Sequence, residues 1–256
     1  MSYFFKIKSY LFRLDNLQIN KAKYFKKLFF FVALKFINLY RWIKSYMIYK
    51  SCDNLDVFFS SINIKWYGGN EGHTQQVKEE TLYLENLSKN SKKILEVGFN
   101  GGHSAETFLK SNKNVIVTSV DIGFHHYVNF GYFYLRRKYK NRIKLYIGDS
   151  TKVLPKLISK NYQYDLIFID GGHEYKIVKS DLVNSINLAD NETTIIVDDV
   201  YFPTDDSEKK FIDSHNNGPS QAWKEVVKKN KIIEVDYKEF KSKSTNKRSI
   251  VIGKVK

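Results

Sequence analysis

Four short apolar runs constrain this chain more than any other feature: residues 93–98 (KILEVG), 114–121 (NVIVTSVD), 164–170 (YDLIFID) and 193–199 (TTIIVDD). Each is rich in β-branched residues and ends on glycine or aspartate. Short continuous apolar runs of this kind read as strands covered on both faces, as in a parallel sheet. Between and around them the spacing predicts helices over 79–87, 103–110, 126–139, 151–159, 174–188 and 221–229, with further strands over 143–147, 231–235 and 248–252. Strands alternating with helices predict an α/β fold with a doubly wound, mostly parallel, seven-stranded sheet of the Rossmann-like kind. In such sheets ligands bind beyond the carboxyl ends of the strands. The residues that close the four runs are therefore the first candidates for function.

The chain has 256 residues, enough for one such domain and an appendage. A boundary is expected at residue 60, with a basic, amphipathic helical extension over 1–60 and the α/β domain over 61–256. One cysteine, Cys52, excludes a disulfide framework. A reducing, cytoplasmic setting is expected, peripheral to a membrane if the extension meets lipid. The formal charge of +15 raises nucleic acid as a partner. Its distribution argues against that. Residues 1–50 carry a net of +10 and residues 238–256 a net of +6, while residues 51–237 carry a net of −1. A basic groove through the body is not expected.

Within the extension, Phe25, Leu28, Val32, Phe36, Leu39, Ile43 and Met47 recur at three- and four-residue spacing and predict one apolar helical face over 25–47. The uninterrupted apolar run from Leu28 to Leu34 has seven residues, against roughly 20 needed to span a bilayer. Three readings stay open: a basic helix on an anionic membrane surface, a helix packed on the body or on a second subunit of a homo-oligomer, and a true membrane anchor.

The strongest chemical signal is Ile94-Leu95-Glu96-Val97-Gly98-Phe99-Asn100-Gly101-Gly102-His103-Ser104. It places a strand, a glycine-bearing turn and a helix start in succession, which brings free backbone N–H groups close to a ligand. The spacing from Gly98 does not match the G-x-G-x-x-G of dinucleotide sites. The E-x-G-x-x-x-G form resembles motif I of the class I S-adenosylmethionine-dependent methyltransferases, and the run through Ala105 resembles the metal-dependent catechol and sugar O-methyltransferases. Asp121 ends the second run 23 residues after Gly98, where a carboxylate can accept ribose hydroxyls. The resemblance implies that Glu96, Gly98, Gly101, Ser104, Asp121 and Asp170 hold the cofactor, Ser104 through the methionine carboxylate. It further implies adenine at Asp149 and Ser150, and backbone contacts from Asn70 and Gly72. As an alternative, Asp149 or Ser150 caps the following helix.

The same resemblance implies a divalent metal, Mg²⁺ or similar, on Asp170, Asp198 and Asp199. Three carboxylates crowded together without a cation would repel one another, and hard oxygen ligands suit Mg²⁺. His173 stands where the resembling enzymes carry a Lys or His base, and a His can take a hydroxyl proton near neutral pH. The implied activity is methyl transfer to a hydroxyl of a sugar, a glycan or another small molecule. Two alternatives remain: a noncatalytic membrane-surface or scaffold protein on this fold, and a nucleic-acid methyltransferase using the basic ends.

Overall fold

The computed structural model describes residues 21–64, 74–241 and 248–256. Asn70 and Gly72 lie outside the described residues. The chain divides after Met47 into two compact units. The first contains one long helix, α1 (Lys21–Ile48), which runs one residue past that division.

The second unit opens with a short helix, α2 (Leu55–Ser61). Asn54 caps it, its side chain accepting from the Val57 N–H at 2.9 Å. Leu55, Phe58, Phe59, Ile62 and Ile64 are all buried. Residues 48–60 fall within the extension expected from the sequence. The structure places them in the larger unit, because this helix is too short for its apolar spacing to stand out. Next come α3 (Lys78–Ser88), β1 (Lys93–Val97), α4 (His103–Ser111), β2 (Ile116–Asp121), α5 (Val128–Tyr139) and β3 (Ile143–Ile147). They are followed by α6 (Ser150–Ile158), β4 (Tyr164–Ile169), α7 (Tyr175–Leu188), β5 (Ala189–Asp198), α8 (Asn217–Lys228), β6 (Ile232–Phe240) and β7 (Arg248–Val255).

The seven strands form one sheet in the order β3-β2-β1-β4-β5-β7-β6. Strands β1 to β5 pair in parallel, and β7 runs antiparallel between β5 and β6. The order reverses between β1 and β4, which start a crevice at their carboxyl ends. Successive residues of each central strand feed opposite faces. Ile94, Leu166 and Phe168 join α2, α4 and α5 in one apolar layer. Leu95, Val97, Ile167 and Ile169 join α6, α7 and α8 in the other. Trp223 sits at the centre of that second layer and donates its indole N–H to Glu234 at 2.6 Å. It is fully buried and belongs to the core. Strand β6 extends five residues beyond the expected end, to Phe240, and β5 starts at Ala189 instead of residue 193.

Candidate active site

The turn after β1 is built from positive φ angles: Gly98 at +100°, Asn100 at +48° and Gly102 at +91°. A Cβ on Gly98 would lie 1.8 Å from the Asp170 carbonyl oxygen. Only glycine therefore lets the turn pass this close to the end of β4. The Asp170 N–H donates to the Val97 carbonyl at 2.8 Å, so the turn and the acidic end of β4 are one structure.

Asp121 holds the turn from the neighbouring strand. One carboxylate oxygen accepts from the Phe99 and Asn100 N–H groups at 3.0 and 2.8 Å, and the other accepts from the Gly123 N–H at 2.6 Å. Glu96 is enclosed. Its two oxygens accept hydroxyl hydrogen bonds from Ser104 and Ser119, both at 2.5 Å. Burial pushes the Glu96 carboxyl up to about 7, against the pull of those two hydroxyls. Ser104 is thus turned inward onto Glu96. Gly101 is buried in the turn, and the Asn100 side-chain oxygen is buried without a hydrogen-bond partner among the described residues. Asp149 caps α6: its side chain accepts from the Thr151 N–H at 3.0 Å and hydroxyl at 2.6 Å. The capping alternative for Asp149 is what the structure shows. Ser150 is the half-buried first residue of α6.

At the ends of β4 and β5, one potential ligand atom each from Asp170, His173 and Asp199 falls within 4.8 Å of the others. Here the arrangement departs from the expected triad of Asp170, Asp198 and Asp199. Adjacent residues of a strand point to opposite faces, and Asp199 adopts a φ of +55°. Asp199 reaches His173, Oδ2 to Nε2 at 3.0 Å. Asp198 turns the other way and is buried, its Oδ1 accepting from the Asp199 N–H at 2.8 Å and its Oδ2 lying 4.0 Å from Nη2 of Arg248. Arg248, the first residue of β7, grips buried Glu80 of α3. Nη2 donates to Oε1 at 3.1 Å, while Nε approaches Oε2 at 3.0 Å without hydrogen-bond alignment.

The electrostatics follow from this crowding. Burial, then Asp198 and Asp199, pushes the Asp170 carboxyl well above its usual range. Burial and Asp199 push Asp198 up to about 7, with Arg248 opposing. Hydrogen bonding to Asp199 raises His173 despite its burial. His215, from the segment leading into α8, stacks on the His173 ring at 5.1 Å. Close packing fixes that approach, since a Cβ on Gly218 would lie 2.1 Å from the His173 carbonyl oxygen. Sequence reasoning missed Glu80 and Arg248. One is an ordinary acid in a first helical turn and the other an ordinary strand residue, so neither carries a local signal.

A methyltransferase-domain family model matches residues 95–200, which spans the turn, Asp121 and the acids of β4 and β5. Over those residues the chain is similar to methyltransferase domains. No curated protein sequence matches the chain. Solved structures share the methyltransferase fold at low identity. An O-methyltransferase from Bacillus cereus in complex with SAH aligns with a TM-score of 0.60 at 16% identity, over 86% of this chain and 100% of its own. TomG from Streptomyces achromogenes, an O-methyltransferase in complex with SAM, aligns at 0.55 and 15%, over 78% and 95%. The N-methyltransferase NodS from Bradyrhizobium japonicum aligns at 0.53 and 14%, over 70% and 86%. The methyltransferase fold thus carries both O- and N-directed members, and the choice between them rests on the site.

Proposed function

We propose that this methyltransferase transfers the methyl group of S-adenosylmethionine to a hydroxyl of a sugar or another small molecule, assisted by a divalent cation. The observation that carries the reading is the convergence of Asp170, His173 and Asp199 immediately beside the Gly98 turn. These residues fit a cation. His173 Nε2 faces the Asp199 carboxylate at 3.0 Å, beside the Asp170 carboxyl, so nitrogen and oxygen donors converge there. When bound, the cofactor supplies an electrophilic methyl group, and the cation lowers the pKa of an acceptor hydroxyl.

The residues of the chain divide the remaining work. Asp170 and Asp199 offer hard oxygen ligands. Asp198 contributes from behind, anchored on Arg248 and on the Asp199 N–H. With Nε2 of His173 turned to Asp199, Nδ1 is the ring atom left to receive the hydroxyl proton, and Asp199 stabilises the imidazolium so formed. Asp121 and Glu96 act through the turn they brace. The orphaned Asn100 oxygen is a candidate polar contact for the cofactor.

Calorimetric titration with S-adenosylmethionine, with and without Mg²⁺, tests this on the wild type and on Asp170→Asn/Asp199→Asn. Cofactor binding in both proteins with cation binding in the wild type alone is the expected result. A folded wild type that binds no cofactor overturns the reading. One that binds cofactor but no divalent cation overturns the metal assignment.

A further inference from the structure

Helix α1 (Lys21–Ile48) carries seven Lys or Arg residues and no Asp or Glu. Its apolar side chains are not withdrawn from solvent: Phe29 is 77% exposed, Met47 75% and Phe36 66%, and Leu39, Tyr40, Ile43 and Tyr46 are also exposed. Val32, Phe36, Leu39, Ile43 and Met47 follow the four- and three-residue steps that put side chains on one helix face. A contiguous exposed apolar face of this kind marks an interaction surface.

We infer that this face docks on an anionic lipid bilayer, with the helix lying in the plane of the headgroups. Three observations select that occupant. No described helix is long and apolar enough to cross a membrane, and Lys35 interrupts the apolar stretch of α1 near its middle. The helix therefore lies on the surface and does not span it. Its charge is of a single sign. Two copies packed along this face would bring like charges together with no acid on either helix to pair them, whereas anionic headgroups complement that charge. The aromatic composition also fits. Tyr40, Trp42 and Tyr46 are exposed side chains with an apolar body and a polar tip, the residue types enriched at the membrane–water boundary. The Lys35 ammonium lies over the Phe31 ring, 4.8 Å from its centre, a cation–π contact that accommodates this charge beside apolar surface. The inference does not depend on the catalytic reading.

Co-sedimentation of the full chain with vesicles tests it, comparing pure phosphatidylcholine with a three-to-one mixture of phosphatidylcholine and phosphatidylglycerol. The wild type is expected to bind the anionic vesicles at least roughly tenfold more tightly than the neutral ones, and to be released by salt. Lys26→Glu/Lys27→Glu/Lys35→Glu should weaken binding by about 100-fold or more, from roughly fivefold per charge removed. Phe29→Ser/Phe36→Ser should weaken it by at least about tenfold while leaving the circular dichroism of the body unchanged. A wild type that stays in the supernatant with anionic vesicles overturns the inference. So does anionic binding that survives Phe29→Ser/Phe36→Ser, which would place the contact at other basic residues. A dimer in light scattering that Phe29→Ser/Phe36→Ser dissolves, without lipid binding, would assign the face to a second copy.

Discussion

Removing the guanidinium between Glu80 and Asp198 should destabilise the larger unit more than any surface ion pair could. In Arg248→Met, Glu80, with a fully buried side chain, loses two approaches of 3.0 and 3.1 Å, and Asp198 loses a cation 4.0 Å away. Breaking a buried pair by removing one partner costs about 3–5 kcal/mol, because the carboxyl left behind must either stay charged and uncompensated or take up a proton that the unfolded chain would not hold at neutral pH. For a unit of this size that corresponds to a fall in Tm of roughly 8–16 °C. The orphaned Glu80 would then hold its proton in the folded state over a wider range. Its folded-state pKa, already pushed by burial up to about 9, would rise further with the opposing pull of Arg248 gone. The carboxyl binds its proton more tightly when folded than when unfolded, so stability should fall as pH rises from the acid range toward and through that pKa, more steeply than in the wild type. Glu80→Leu/Arg248→Met removes both members and should recover most of the loss, short of what Asp198 contributes. Urea unfolding of the four proteins of the cycle, at pH 5 and pH 8, measures the coupling. The reasoning fails if Arg248→Met alone costs under about 1 kcal/mol, the range of exposed pairs. It also fails if the double variant loses the sum of the two single variants.

Gly98→Ala forces a Cβ to 1.8 Å from the Asp170 carbonyl at a φ of +100°, so S-adenosylmethionine binding measured by calorimetry should be lost or fall by at least about 100-fold. Asp181 of α7 is buried, and burial pushes it up to about 7 against the pull of the Ser150 hydroxyl. Its folded pKa is raised, so its contribution is complete below the unfolded value near 4 and is lost as pH rises to 7. Asp181→Asn should therefore flatten the decline of stability between pH 4 and pH 8 by roughly 2–4 kcal/mol, read from chemical denaturation across that range. An unchanged pH slope would show that Asp181 ionises freely in the folded protein.

The sheet was legible because its strands are buried on both faces, which leaves continuous apolar runs such as Leu166 to Ile169 ahead of the closing aspartate. Helix α2 was not, since a seven-residue helix shows under two turns of periodicity; its cap at Asn54 was the available signal. The carboxyl ends of β1, β2, β4 and β5 were legible as a candidate site because glycine and aspartate mark them. The allocation of roles among the acids was not. Asp198 and Asp199 are identical neighbours in the sequence, and what separates them is the side of the strand each faces. That depends on a positive φ at Asp199 and on Arg248, 49 residues further along the chain. Ser104 reads as a ligand for the cofactor carboxylate, yet its hydroxyl turns to Glu96. Such pairings link distant residues and leave no trace in local spacing.

The bracing of the turn by Asp121 bears on how fast this protein can load its cofactor. With the Phe99 and Asn100 amides already gathered on one carboxylate oxygen, the main chain proposed to receive the ligand is ordered before the ligand arrives. No loop has to fold on contact there, so the entropy of ordering that segment belongs to folding and is not subtracted from binding. Capture at this turn then resembles docking on a rigid surface, with a rate set by encounter and orientation. Asp121→Ala would transfer that ordering to the binding event, and would show itself as slower association even where the final complex is the same.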